Sequence, residues 1–143
     1  MKNYYDQQQE LQIALYRLES LKYKKQMYFN RTQPGTMDYS KDNVQGGVHK
    51  DIMTEYVIKI EKIDKDIQET QEEIEILDKY LKKMEKSLRT MKSPLEKIFV
   101  ARYIDGLSVE QVAVKCNYSA SHIYRELQII KRLVEGGNGN EER

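Results

Sequence analysis

The sequence predicts an all-α fold, in which an N-terminal helical hairpin or coiled-coil stalk is followed by a C-terminal three-helix domain. Only 7 Gly and 2 Pro occur in 143 residues, too few for the many turns of a β-sandwich or barrel. Charged residues make up 33% of the chain against 39% hydrophobic residues. This balance confines the apolar side chains to narrow stripes, which is typical of long amphipathic helices.

Charge and cysteine content limit the possible functions. The chain carries 24 Lys and Arg against 23 Asp and Glu, so any DNA binding has to come from a local surface. The single cysteine, Cys116, excludes an internal disulfide, and one Cys with two His is too few for a structural zinc site. We therefore expect no metal and no cofactor.

Two features favour a cytoplasmic protein. The chain has no run of 18 apolar residues, and its first ten residues, MKNYYDQQQE, lack the apolar core of a signal peptide. We expect a soluble protein in a reducing compartment.

The first amphipathic pattern predicts a helix from about residue 6 to residue 30, within an N-terminal segment 1–30. Its apolar positions recur at heptad spacing. They are Leu11, Ala14, Leu18, Leu21 and Tyr28. Residues 31–48 contain Pro-Gly and Gly-Gly pairs and no periodicity, which predicts a linker.

A longer heptad repeat follows and predicts one coiled-coil helix over residues 49–92. Counted in sevens from Met53, eleven of the twelve a and d positions up to Met91 are apolar or aromatic. A helix of this length extends roughly 65 Å. The seam positions expected to pack in an oligomer are Ile60, Ile63, Ile67, Ile74, Leu77, Leu81, Met84 and Leu88.

The first helix is shorter than this seam, so something else has to cover the remainder. The candidates are a second copy of the chain, the C-terminal domain folding back, or a partner protein. A homodimer through the stalk is the simplest of these, because long exposed apolar stripes are rare in monomers.

Charge is segregated along the long helix. Residues 61–78 carry eight acids and two lysines, whereas residues 79–92 carry six bases and one acid. The basic end is explained either as a solvated face favoured by the helix dipole or as a surface that lies near phosphate.

The segment 93–135 predicts three short helices, and residues 136–143 predict a disordered tail. Capping boxes are expected at Ser93 with Glu96 and at Ser108 with Gln111. Gly106 and Asn117 suit positive φ at the ends of the first two helices, and Ser119 caps the third.

The second and third of these helices, joined by a short turn, predict a helix-turn-helix. Val112, Cys116 and Tyr118 are expected to pack against Ile123, Leu127 and Ile130, with Cys116 as a small buried hydrophobe. In such a motif the second helix meets base edges and its flanks meet phosphates. The base-edge candidates are Ser121, Tyr124, Arg125 and Gln128. The phosphate candidates are Arg102, Lys115, His122, Lys131 and Arg132, of which His122 has a local capping role as its alternative.

Residues 95–133, LEKIFVARYIDGLSVEQVAVKCNYSASHIYRELQIIKRL, resemble region 4 of bacterial sigma factors. They are most similar to small phage late-gene transcription regulators of the ArpU and RinA type, in which a run like YSASHIYR at 118–125 begins the recognition helix. Asn117 replaces the usual Gly, and no promoter-melting region 2 fits in the rest of the chain. The resemblance implies DNA binding in transcription control, with RNA polymerase as a further partner.

The sequence therefore favours a sequence-specific, double-stranded-DNA-binding transcription regulator that is phage-encoded, dimeric and not attached to a membrane. One copy of residues 93–135 carries six bases and five acids, so a second copy or a tether to polymerase is expected to strengthen binding. The alternatives are a phage small terminase subunit and a coiled-coil adaptor that binds protein. An enzyme is not expected, because the chain has no phosphate loop, metal cluster or nucleophile with a base.

Overall fold

The computed structural model describes residues 1–32 and 46–136, and all of the regular secondary structure in these ranges is helical. The predicted all-α fold is confirmed. The five α-helices are α1 (Lys2–Arg31), α2 (Gly46–Arg89), α3 (Pro94–Phe99), α4 (Val109–Cys116) and α5 (Ala120–Lys131). α3 and α5 each continue into one π-helical turn, at Val100–Ile104 and Arg132–Gly136.

Both long helices begin earlier than predicted. α1 starts at Lys2, ahead of the predicted residue 6. α2 starts at Gly46, within the predicted linker, since a first helical turn tolerates glycine. The rest of that linker (33–45) and the tail after Gly136 lie outside the described residues.

α2 ends at Arg89, before the predicted residue 92, because its last turn tightens. The amide of Thr90 donates to the Ser87 carbonyl at 3.2 Å, and the amide of Met91 donates to the Leu88 carbonyl at 3.1 Å. Such short-range bonds satisfy carbonyls that the helix leaves without partners. Pro94 then requires extended backbone at Ser93, whose φ is −65° and ψ 136°.

The described chain forms two compact units, and their boundaries cut through both long helices. The first, here called the hairpin unit, comprises residues 12–76. The second, here called the C-terminal unit, comprises residues 1–11 together with the chain from Leu77 onward. The predicted domain boundary at residue 93 is therefore not a boundary between compact units.

In the hairpin unit, α1 and α2 run antiparallel. Arg17 pairs with Glu73 at 3.0 Å and Lys25 with Asp64 at 2.6 Å. Residue numbers thus rise along α1 as they fall along α2. Ala14 and the α2 seam positions Ile63 and Thr70 are buried between the helices, which confirms the predicted heptad seam in this unit.

The C-terminal unit has one apolar core to which all five helices contribute. Its fully buried side chains are Phe99, Ile98, Ile123, Ile130, Val112 and Val134. Tyr4 of α1 and Leu81 and Leu88 of α2 belong to the same core. The Tyr4 ring meets the Phe99 ring edge-on, with centroids 6.1 Å apart. Helices of 6, 8 and 12 residues are too short to enclose this core alone, so the ends of the long helices complete it.

The α2 seam is therefore largely covered within one chain. Leu77, Leu81 and Leu88 are buried, and Met84 packs against the core of the C-terminal unit. The C-terminal segment and the first residues of α1 cover this part of α2, which agrees with one of the predicted alternatives, a C-terminal domain that folds back. The seam on its own does not require a second chain.

In residues 1–32 and 46–136, no helix has the combination of length and apolar character needed to cross a bilayer.

Candidate nucleic-acid interface

α4 is delimited by the predicted caps. The Ser108 hydroxyl accepts from the Gln111 amide at 3.2 Å, and the Gln111 side-chain oxygen accepts from the Ser108 amide at 2.9 Å. This reciprocal pair confirms the predicted capping box and satisfies two otherwise free donors. Gly106, with φ 72°, ends the preceding π turn as predicted.

The capping box predicted at Ser93 is wrong. The Ser93 side chain makes no cap hydrogen bond. Its carbonyl instead accepts from the Lys97 amide at 3.1 Å. Pro94 at the first helical position presets the helical φ and has no amide to satisfy.

The predicted sharp corner between α4 and α5 is present. Asn117 adopts φ 63° and ψ 44°, the left-handed conformation expected of it. The amide of Tyr118 donates back to the Ala113 carbonyl at 3.0 Å, and the Ser119 hydroxyl accepts from the His122 amide at 3.2 Å. Three residues, 117–119, thus turn the chain from one helix into the next.

An apolar wedge holds α4 and α5 together. Val112, Ile123 and Ile130 are fully buried, and Ala113 is buried beside them. Leu127 and Cys116 are half-buried and pack against the same core. The predicted packing is correct for these residues.

Tyr118 departs from the predicted wedge. Its side chain is 38% exposed, and its ring lies on the His122 imidazole with centroids 4.3 Å apart. The Tyr118 ring therefore packs against His122 at the surface of the turn and not into the core.

The four base-edge candidates lie together on the outer face of α5. Ser121, Tyr124, Arg125 and Gln128 are all exposed, with Tyr124 at 55%. Their spacing of three and four residues places them on one side of the helix. Ile123 and Ile130, on the other side, point into the core.

Two of the phosphate candidates adjoin this face. Lys131 and Arg132 are exposed at the end of α5 and line a shallow depression together with Gln128. Among the residues that the structure describes, no carboxylate lies within 4.0 Å of Arg125, Lys131 or Arg132. Glu135 lines the same depression as Lys131 and Arg132.

The other three phosphate candidates have local partners. The Arg102 guanidinium donates to the Leu107 carbonyl at 2.7 Å and so closes the turn before α4. Lys115 lies 3.4 Å from the Asp105 carboxylate. His122 is half-buried against Tyr118, which agrees with the alternative, local role considered for it.

A basic cleft lies beside the corner and was missed in part by the sequence reasoning. It has a volume of about 480 Å³ and lies between the end of α2, the start of α3 and the end of α4. Four cations line it, and Leu88, Val100 and Ala101 contribute apolar surface. The cations are Arg89, Lys92, Lys97 and Lys115. The basic run at residues 79–92 was the only sequence signal for Arg89, at the end of α2, and for Lys92, in the segment that follows it.

Asp105 organises two of these cations. Its carboxylate accepts from the Arg89 guanidinium at 2.7 Å and from the Lys115 ammonium at 3.4 Å. The hydrogen bond from Arg89 is the main cause that holds the pKa of Asp105 below its usual range, with a smaller contribution from Lys115. Asp105 therefore stays ionised and fixes one side of the cleft.

Comparison with known proteins identifies one family. Its sequence profile matches residues 35–135, and it is described as a protein of unknown function, DUF1492. The chain belongs to the DUF1492 family. The DUF1492 match includes all of α2, α3, α4 and α5 and most of the turn after α5, so the corner and the basic cleft both lie within the family region. No curated protein and no solved structure matches the chain.

Proposed function

We propose that this protein is a sequence-specific DNA-binding transcription regulator that reads base edges with α5. The observation that carries the proposal is the arrangement of α4 and α5 across the three-residue corner. Ile123 and Ile130 hold α5 against the core, while Ser121, Tyr124 and Arg125 stand exposed along its other side. This is the presentation that helix-turn-helix proteins use in the major groove.

The side chains on that face have the chemistry of base readout. The Arg125 guanidinium can donate two parallel hydrogen bonds to guanine, and the Gln128 amide can pair with adenine in the same two-point manner. Tyr124 offers a ring for a thymine methyl group and a hydroxyl for the backbone. Ser121, one turn nearer the start of the helix, is small enough to let the helix approach the bases.

The surrounding charge supports DNA binding more strongly than the count for residues 93–135 suggested. Because the end of α2 belongs to the C-terminal unit, its basic segment has to be included. Residues 1–11 and 77–136, the described part of this unit, carry thirteen Lys and Arg against nine Asp and Glu. A net positive surface beside α5 favours contact with phosphates and counterion release.

The resemblance to region 4 of sigma factors supports the finer part of the proposal. It covers residues 95–133, which include both helices of the motif. We propose on this basis a role in phage late transcription, with contact to RNA polymerase in addition to DNA.

The proposal is tested by selecting bound fragments from random duplex DNA with the full chain. The expected result is one enriched motif, read over the few base pairs that the exposed face of α5 spans. Binding that does not enrich any motif would overturn sequence-specific recognition. Failure to bind duplex DNA even at 50 mM salt, where phosphate contacts are strongest, would overturn DNA binding as a whole.

A further inference from the structure

α1 carries a second heptad-spaced stripe, separate from the seam that packs on α2. Its members follow each other at alternating intervals of three and four residues. They are Ile13, Tyr16, Ser20, Tyr23 and Met27. The four large side chains are 57%, 66%, 73% and 40% exposed, in that order, and Ser20 is exposed as well.

The α2 helix cannot cover this stripe. The side of α1 that meets α2 is marked by buried Ala14 and half-buried Leu18 and Leu21. At about 100° per residue, the stripe is centred roughly 150° around the helix from that side. α1 is therefore apolar on two nearly opposite faces, of which the hairpin unit occupies one.

Among the residues of the hairpin unit whose side chains the structure describes, 12–32 and 52–76, the other exposed apolar residues do not form such a pattern. On α2, Ile58 and Ile76 are exposed, but the positions between them on the same face are charged, including Lys65, Glu69 and Glu72. Isolated exposed apolar residues are normal in soluble proteins, whereas a continuous stripe marks an interaction surface.

We propose that this stripe is a homodimer interface, in which α1 helices from two copies of the chain pair in parallel as a short two-stranded coiled coil. The 3-4 spacing is the pattern that knobs-into-holes packing requires. With Ser20 at position a and Tyr23 at position d, Glu19 falls at g and Lys24 at e. The seam is thus flanked by an acidic residue at g and a basic residue at e.

Charge complementarity selects a second copy in parallel orientation. In a parallel pair each g residue lies beside the e residue of the following heptad on the other helix. Glu19 of one copy then meets Lys24 of the other, and symmetry makes this pair twice. Antiparallel pairing would instead bring like charges together in either register that pairs the stripe. One register places Arg17 against Arg17 and Glu19 against Glu19, and the other places Arg17 beside Lys24.

The size of the stripe sets the expected strength of the dimer. From Ile13 to Met27 the stripe is about 21 Å long, which places the interface at the small end of the range for specific complexes. We expect dissociation at roughly micromolar concentrations. The small Ser20 at the centre lets the helix backbones approach, with the Tyr16 and Tyr23 rings on either side.

The first experiment measures the mass of the full chain by sedimentation across a concentration series, without DNA. The wild type is expected to shift from monomer to dimer, and the Tyr16→Glu/Tyr23→Glu variant to stay monomeric. Ile58→Glu/Ile76→Glu is the matched control, since it puts the same two charges at exposed apolar positions on α2. A wild type that stays monomeric, a double variant that still dimerises, or an assembly of eight or more chains would each overturn the proposal.

The second experiment tests the orientation and the choice of partner. Glu19→Lys is expected to weaken the dimer at least tenfold, and Glu19→Lys/Lys24→Glu to restore it, because the exchanged pair is again complementary. In a Cys116→Ser background, Met27→Cys is expected to form an intermolecular disulfide on mild oxidation. No rescue by the exchanged pair, or no cross-link at residue 27, would overturn the parallel arrangement.

These outcomes are independent of the proposed DNA-binding function. The mass and the cross-link are measured without DNA. A negative result in either experiment would overturn the dimer proposal and would not bear on the proposed DNA sequence preference. If both proposals hold, the monomeric Tyr16→Glu/Tyr23→Glu variant retains the sequence preference of the wild type and loses only affinity.

Discussion

The Arg89 guanidinium, at the last residue of α2, donates to the Asp105 carboxylate at 2.7 Å. Arg89 also pairs with Glu85 one turn earlier at 3.1 Å, and Asp105 lies 3.4 Å from Lys115 of α4. This small network joins the end of the long helix to the turn that precedes the helix-turn-helix. It fixes one side of the basic cleft and ties α4 to α2.

Loss of the Arg89–Asp105 pair is expected to make stability less dependent on pH. Because the pKa of Asp105 is lowered in the folded state, its contribution to the free energy of unfolding is complete above about pH 4, the usual pKa of an unfolded Asp. The contribution is lost as the pH falls through the lower, folded-state pKa. Asp105→Asn should therefore lower the urea midpoint at pH 7 and have less effect at pH 3.

Urea titrations of wild type and Asp105→Asn at both pH values measure this difference. Glu110→Gln, an exposed acid on α4, is the matched control and should leave the midpoint nearly unchanged. Equal effects of Asp105→Asn at pH 7 and pH 3 would show that the pair does not contribute through its ionisation.

Tyr4→Ala is expected to destabilise the C-terminal unit, although Tyr4 lies about 90 residues before α3 in the sequence. Tyr4 is 5% exposed and contacts Phe99, so its removal leaves a cavity in the core. Truncation of a buried aromatic residue costs about 3–5 kcal/mol of unfolding free energy. Asn3→Ala, at the exposed neighbouring position, is the control. A Tyr4→Ala variant as stable as the wild type would mean that α1 is not part of this core.

Arg125→Ala is expected to remove discrimination at one base position and leave the fold intact, since the side chain is exposed. A guanidinium that contacts guanine in bidentate fashion contributes about 1–3 kcal/mol to discrimination. Affinities for a panel of single-base variants of the selected site measure the change. A variant with the same preference at every position as the wild type would remove Arg125 from the base readers.

Lys131→Ala is expected to weaken binding to all DNA sites alike. Lys131 is exposed at the end of α5, beside Gln128, and flanking residues of a reading helix contact phosphates. The slope of log affinity against log salt should fall by about one unit. A salt slope equal to that of the wild type would contradict the phosphate contact.

The basic cleft combines Lys92, from the basic run 79–92, with Lys97 of α3. If this surface lies near phosphate, Lys92→Ala/Lys97→Ala should weaken DNA binding uniformly and lower the salt slope by up to about two units. If the cleft does not contact DNA, the affinity for DNA should stay within about twofold of the wild type. Lys62→Ala/Lys65→Ala, on the exposed side of α2 in the hairpin unit, is the matched control for loss of two charges.

Much of the candidate site is predictable from the sequence because its determinants are local. The turn at Asn117, the caps at Ser108 and Ser119, and the two faces of α5 depend on residues within a few positions of one another. The heptad seam is local in the same sense, as each position repeats the environment of the one seven residues before. These features agree with the structure.

The tertiary structure decided which distant segments complete the core and which charges share a surface. Tyr4 joins Phe99, and Arg89 joins Asp105, through contacts that no local pattern encodes, because the chain brings those segments together only after its helices have formed. For the same reason the sequence alone predicted a separate three-helix domain and left open whether a second chain, the C-terminal domain or a partner protein covers the rest of the seam. The short helices α3–α5 expose an apolar face that only the ends of α1 and α2 can bury, and this burial sets the compact unit that presents α5.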